Sequence, residues 1–133
     1  MTNTLSTELY WLTLTTIMTA VLWLPYIINR MLELGILQAL WDPFGETKTN
    51  KAWATRMMQA HTNAVENLVV FAPLVFLVQI TDAHSEVTAM ACMIYFFARL
   101  VHYIVFTFAI PLLRVLSFLT AFGAQLALGL AVL

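Results

Sequence analysis

The feature that most constrains this chain is a set of four apolar stretches, each about 20 residues or longer. They cover approximately residues 8–29, 50–80, 87–108 and 112–133. A helix of about 20 apolar residues crosses the hydrocarbon core of a bilayer, because each residue adds about 1.5 Å to a path of about 30 Å. We therefore predict an all-α membrane protein in which residues 1–133 form one domain, a bundle of four antiparallel transmembrane helices.

Composition excludes other classes. Hydrophobic residues make up 62% of the chain and charged residues only 10%, with a mean hydropathy of +0.86, which leaves too little polar surface for a water-soluble domain. A net charge of −1 provides no basic field for nucleic acid. Cys and His do not occur at zinc-binding spacings, so no metal is predicted. The N-terminus lacks a basic signal-peptide region, and we expect the first span to be retained.

The positions of the basic residues predict the orientation of the spans. Short loops that carry Lys and Arg stay on the cytoplasmic side of a membrane. The first loop, which contains a turn-like segment at residues 42–45, and its flanks hold four basic residues, and Arg114 follows the third turn. Because residues 81–86 and both ends of the chain have no Lys or Arg, both termini should be non-cytoplasmic. The four basic residues of the first loop and its flanks are Arg30, Lys48, Lys51 and Arg56.

The short loops favour a bacterial inner membrane over the endoplasmic reticulum.

The second span carries polar side chains into the apolar region. Gln59, Asn63 and Glu66 stand at i, i+4 and i+7, which places them on one face of a helix. A charge near the centre of a bilayer costs on the order of 2.5 to 3.5 kcal/mol unless it is paired. Arg99 in the third span should reach a similar depth. We therefore predict that Arg99 pairs with Glu66, with His102 one turn further along the same face.

Each of these residues also has a purely structural interpretation. A pair between Glu66 and Arg99 can fix helix register without any chemistry. His61 and His102 can serve as hydrogen-bonding groups between helices. Arg30 and its neighbouring lysines can anchor the chain at the interface. The residues alone leave these alternatives open.

Two motifs carry a resemblance to a known family. Ala60-His61, Asn63 and Glu66-Asn67 form an A-H-x-N-x-x-E-N pattern in the second span. The third and fourth spans add an R-x-x-H pattern and an R-x-L-S-F pattern, made of Arg99, His102, Arg114, Ser117 and Phe118. In this order the motifs resemble those of the membrane-associated proteins in eicosanoid and glutathione metabolism, the MAPEG family. The resemblance covers essentially the whole chain and is strongest to the microsomal glutathione transferase branch.

The resemblance implies a homotrimer that binds glutathione, as a co-substrate, between neighbouring subunits near the cytoplasmic face. It implies a transferase, with possible added peroxidase activity, whose partners are membrane lipid and a hydrophobic small-molecule substrate. Arg114 would be the catalytic residue that faces the sulfur. The implied glutathione contacts are Arg30, Arg56, His61, Asn63, Glu66, Arg99, His102 and Ser117.

The chemistry of glutathione agrees with these residue types. The tripeptide has two carboxylates, an ammonium and a thiol, so its site needs cations, an acidic or amide group and a group that stabilises a thiolate. The pKa of a thiol falls from about 8.5 near a cation or a helix N-terminus. Arg114 combines the two, because it stands in the first turn of the predicted fourth helix.

Three departures from the family pattern support a second hypothesis. Gln59 stands where many relatives have Arg, Ala64 where Asp is common, and Phe106 where a Tyr often follows the histidine. A chain with these changes can be a lipid-binding or scaffold member of the family that catalyses nothing. A small transporter is less favoured, because the chain has few intramembrane charges and few glycines for broken helices.

Overall fold

The first membrane span consists of two helices separated by a short interruption. The structure is a computed structural model that describes residues 4–42 and 47–133. Helix α1 covers Thr7–Val21 and α2 covers Leu24–Leu34. The break precedes Pro25, whose ring lacks an N–H and would crowd the carbonyl of Val21 in a continuous helix. The Tyr103 hydroxyl donates a hydrogen bond of 2.7 Å to the carbonyl of Leu22. The first span is thus interrupted at residues 22–23.

A glycine separates the first span from a short third helix. Gly35 has φ of 82°, in the left-handed region that glycine adopts most easily, and it ends α2. Helix α3 covers Ile36–Trp41 and has no buried residue. Most of the turn predicted at residues 42–45 lies outside the described residues, because residues 43–46 are not described.

Three long helices complete the fold. Helix α4 covers Ala52–Ile80, α5 covers Glu86–Thr107 and α6 covers Pro111–Val132. Pro73 lies within α4 without ending it, as transmembrane helices allow. The described residues contain no strand, and four segments are long and apolar enough to cross a membrane. The predicted all-α fold with four spans is confirmed.

Helix α5 is the centre of the packing. It contacts α1, α4 and α6, and six of its ten buried side chains are aromatic or polar. The ring of Tyr95 stacks on Phe71 of α4 with centroids 3.7 Å apart and planes within 8°. Leu12 of α1 and Leu128 of α6 belong to the same apolar core. The buried polar groups of α5 are therefore held against three helices at once.

Candidate functional site

A hydrogen bond between α4 and α5 brings the two sequence motifs together. Arg99 is only 2% exposed, and its Nη2 donates to Oδ1 of Asn63 over 2.6 Å. Among the described residues, Nε and Nη1 of Arg99 have no hydrogen-bond partner. A buried guanidinium with two unused donors is costly, because each donor has lost its water without replacement. This side of α5 is therefore suited to accept an anionic or carbonyl group from outside the chain.

The predicted ion pair between Arg99 and Glu66 is wrong for the described chain. The ion pairs within the described ranges do not include these two residues, and Arg99 uses Asn63 instead. The carboxylate of Glu66 stays exposed, one helical turn beyond Asn63. The physical reason is desolvation, because an amide satisfies a buried cation at a lower cost than a second buried charge. Glu66 is thereby left available to a ligand or to a neighbouring chain.

Glu66 and Asn63 line an open groove of about 450 Å³ on the surface of α4. Its wall is more polar than that of the other cavities along the spans, since amide, hydroxyl and carboxylate groups all face it. Phe106 is its only lining residue from α5. The complete lining is Thr55, Met58, Gln59, Thr62, Asn63, Glu66 and Phe106.

A second cavity of about 220 Å³ lies on another side of Phe106, between α5 and α6. His102 and Arg114 line it, together with Val115, Phe118 and Leu119. The guanidinium carbon of Arg114 is 5.1 Å from the centroid of the Phe106 ring, a cation–π contact. The His102 ring meets the edge of Phe106 at 5.6 Å, and its buried Nδ1 has no partner in the described chain. Phe106 is thus a wall common to the two cavities.

Arg114 stands where the sequence placed it, in the first turn of α6. Pro111 begins the helix, and the backbone N–H of Arg114 donates to the carbonyl of Ile110. Its side chain is exposed and lies over Phe106. A cation beside the positive end of a helix dipole stabilises a nearby anion, and a thiolate is such an anion.

Ser117 lines a third cavity, an apolar groove of about 340 Å³ between α5 and α6. Its hydroxyl is within 2.7 Å of the Leu113 carbonyl and 3.1 Å of the Arg114 carbonyl, so its proton is used inside its own helix. The hydroxyl oxygen still has accepting capacity toward the groove. The other lining residues are Met93, Ile94, Phe97, Ala98, Val101, Leu113, Leu116 and Thr120.

His61 occupies a structural position. Its Nε2 is 2.9 Å from the carbonyl of Thr19, which can only accept, so Nε2 carries the proton. Its Nδ1 then accepts a hydrogen bond of 2.7 Å from the hydroxyl of Tyr26. With its two ring nitrogens engaged by α1 and α2, His61 fits the alternative of a hydrogen-bonding group between helices.

Two of the predicted arginine contacts also lie away from the grooves. Arg30 forms an ion pair with Asp42 and donates to the carbonyl of Thr47 over 2.8 Å. Nε of Arg56 donates to the carbonyl of Thr107 at the end of α5, also over 2.8 Å. Neither arginine is among the residues that line the three cavities.

Sequence reasoning missed a polar cluster at the start of α1 and α5. Glu8 has a side chain only 4% exposed, and its two oxygens meet Oγ1 of Thr88 at 2.5 Å and Nδ1 of His84 at 3.0 Å. His84 is therefore held by a carboxylate. Glu8 and Thr88 are 80 positions apart, and no local pattern in the sequence pairs them.

These features define a class first: an integral, multi-pass, all-α membrane protein with polar side chains along two of its surface grooves. The comparison with family profiles then identifies the family. The MAPEG family matches residues 9–133, nearly the full length, and the chain belongs to this family. No curated protein and no solved structure gives a match. The family includes glutathione transferases and other members.

Proposed function

We propose that the chain is a glutathione-dependent transferase of the microsomal branch. It acts as a homotrimer of antiparallel four-helix subunits in a bacterial inner membrane, with both termini on the non-cytoplasmic side. The observation that carries the proposal is the hydrogen bond from Arg99 to Asn63. It joins the two family motifs beside a groove that contains Glu66, and Arg114 stands across Phe106 from that groove.

The residues on these walls fit the functional groups of glutathione. The carboxylate of Glu66 on the groove wall suits the ammonium. Nε and Nη1 of Arg99, which is buried next to Asn63 and does not itself line the groove, suit a carboxylate. His102 offers a further buried nitrogen. Because Glu66 and Arg114 are exposed on a single chain, a neighbouring subunit would complete the site around them. This supports a trimer with its ligand between subunits.

The reaction follows from the position of Arg114. The thiol loses its proton to water, and the guanidinium together with the start of α6 stabilises the thiolate. The sulfur attacks the electrophilic carbon of an apolar substrate, so an S–C bond forms and the leaving group departs with its electron pair. A hydrophobic substrate would reach the sulfur along the apolar groove between α5 and α6.

The same thiolate supports peroxidase chemistry. Attack on a peroxide oxygen breaks the O–O bond, and the released alkoxide takes up a proton to give an alcohol. The sulfenic acid formed on the first glutathione then reacts with a second glutathione, which gives glutathione disulfide and water.

Detergent-purified protein tests the transferase. We expect glutathione binding by calorimetry and release of chloride from chlorodinitrobenzene, with kcat/KM reduced about 100-fold or more in Arg114→Ala. Lys48→Ala is the matched control, because this exposed cation lies outside the grooves, and it should retain the activity of the parent. Absence of glutathione binding by the parent, or unchanged turnover in Arg114→Ala, would refute the proposal. Native mass spectrometry in the same detergent should give the mass of a complex of three chains.

A second candidate is a lipid-binding member without catalysis. The apolar groove of about 340 Å³ favours it, as do Gln59 at a position where many relatives have Arg and Phe106 at one that often carries Tyr. This candidate predicts co-purified lipid, seen by mass spectrometry. It also predicts that added glutathione produces no thiolate absorbance in the ultraviolet.

A further inference from the structure

The segment that follows the first span exposes an unusual density of large apolar side chains. Leu32 and Trp41 are each 82% exposed, and three further residues between them are more than half exposed. Helix α3 has no buried residue, and Gln38 is its only polar one. A continuous apolar surface of this kind is unfavourable in water and marks an interaction site. The three further residues are Ile36, Leu37 and Leu40.

The length of the first span places this surface at the edge of the membrane. The apolar segment Thr7–Leu34 has 28 residues. At about 1.5 Å per residue it extends about 42 Å, which exceeds a hydrocarbon core of about 30 Å. Residues after Leu34 therefore emerge at the level of the lipid headgroups. Gly35 interrupts the helix there, with a φ that other residues rarely adopt.

Polar contacts hold the segment to the protein at its two ends. Glu33 accepts hydrogen bonds from the hydroxyl of Thr49 over 2.6 Å and from the backbone N–H of Asn50 over 3.2 Å. At the other end, Arg30 pairs with Asp42. These contacts turn Glu33 toward the protein and leave the large apolar side chains of the segment outward.

Cations lie beside this apolar surface. Lys48 and Lys51 are exposed in the part of the loop that leads into α4. Lysines at a membrane surface attract anionic headgroups, and tryptophan is enriched at the same depth. Apolar side chains next to exposed lysines match an anionic phospholipid leaflet, with acyl chains for the former and headgroups for the latter.

We propose that residues 32–41, here called the interfacial segment, insert into the headgroup region of an anionic leaflet. Lys48 and Lys51 bind the phospholipid headgroups beside it. The surface is continuous with the first membrane span, and this continuity favours lipid over a second copy of the chain. The segment anchors the first loop independently of any glutathione chemistry.

The test measures the depth of Trp41 in vesicles of phosphatidylcholine and phosphatidylglycerol. Trp11, Trp23 and Trp53 are replaced by Phe, so that Trp41 alone fluoresces. We expect acyl chains brominated near the headgroup to quench Trp41 at least twofold more than chains brominated near the methyl end. Quenching by aqueous acrylamide alone would overturn the proposal. Shielding from acrylamide and from both brominated lipids would also overturn it, since a second copy would then cover the segment.

A second measurement does not depend on the triple replacement. Trp41→Phe in the otherwise unchanged chain should reduce the shallow-bromine component of the parent's quenching, and an unchanged component would refute the insertion. The role of the lysines is tested by measuring the same shallow quenching of tryptophan twice, once with the bromines on phosphatidylglycerol and once with the bromines on phosphatidylcholine. We expect stronger quenching by the former in the parent and equal quenching in Lys48→Gln/Lys51→Gln. Equal quenching already in the parent would overturn the role of the lysines.

Discussion

Arg99 is a cation that the protein buries almost completely and, among the described residues, pairs with only one neutral side chain. Its 2% exposure and single hydrogen bond to Asn63 leave two donors unused. Such a group persists only if something else makes up for its desolvation. In the proposed function the ligand is that compensating group, so ligand binding at Arg99 would also stabilise the fold.

Replacement of Asn63 tests how much the guanidinium depends on its single acceptor. Asn63→Ala removes that acceptor, and we expect the free energy of unfolding to fall by about 1 to 3 kcal/mol. Asn63→Asp keeps an oxygen in place and should stay near the parent or exceed it. Unfolding in mixed micelles with increasing dodecyl sulfate gives the comparison. Equal stability of the alanine variant and the parent would contradict this account of Arg99.

His61 makes the opposite case, because it belongs to the family motif yet uses its two ring nitrogens inside the chain. We expect Tyr26→Phe and His61→Leu to show a coupling of about 0.5 to 1.5 kcal/mol in a double-mutant cycle of unfolding. Glutathione affinity, measured by calorimetry on the folded variants, should stay within about twofold of the parent, because no new charge is left unpaired. A selective loss of affinity in His61→Leu would return this residue to the ligand contacts.

Among the helices, the contrast between two glycines shows what backbone geometry demands. Gly35 has φ of 82° and ends α2, whereas Gly123 lies within α6, where an added Cβ meets no atom within 4 Å. At Gly35 the backbone needs the conformational freedom of glycine. At Gly123 it does not, and glycine there only adds conformational entropy to the unfolded chain.

Alanine at each glycine gives a matched pair. Gly35→Ala should lower the free energy of unfolding by about 1 kcal/mol, because the left-handed region costs an L-residue that much. Gly123→Ala should raise it by about 0.5 to 1 kcal/mol, through a less flexible unfolded chain. The two variants are compared in the same micellar titration. Shifts of the same sign would show that packing, and not backbone conformation, decides these positions.

At the scale of the whole molecule, the Glu8 cluster and the cation–π contact of Arg114 lie at opposite ends of α5. Thr88 with Glu8 marks the start of α5, and Phe106 with Arg114 marks its end, about 27 Å away along the helix axis. The hydrogen bond between Thr88 and Glu8 should therefore contribute to the stability of the fold without affecting the grooves near Phe106.

Replacement of Thr88 tests this separation. Thr88→Val removes the 2.5 Å hydrogen bond to a buried carboxylate and should cost about 1 to 3 kcal/mol of unfolding free energy. Thr13→Val is the control, since that exposed hydroxyl bonds only to the carbonyl of Leu9 in its own helix and lines none of the grooves. The dissociation constant for glutathione should match the parent in the two variants. A changed constant in Thr88→Val alone would mean that the two ends of α5 are coupled.

Much of the fold could be predicted from sequence, because membrane spans depend on local composition. Length and hydropathy indicated four membrane-spanning segments. The spacing of Asn63 and Glu66 correctly put them on one face, which lines one groove. Periodicity does not give the rotation of one helix against another, however. The partner of Arg99 was therefore mispredicted, and the pairing of Glu8 with Thr88 was not foreseen.

The hydrogen bond from Tyr103 to the carbonyl of Leu22 has a consequence for how the protein is made. The ribosome adds Tyr103 long after the first span has reached the membrane, because 81 positions separate the two residues. Until then the Leu22 carbonyl and the Glu8 carboxylate lack the partners that α5 supplies. Release of the first span alone into lipid would strand these groups, so retention of the early helices beside the translocation machinery until α5 arrives would favour correct assembly.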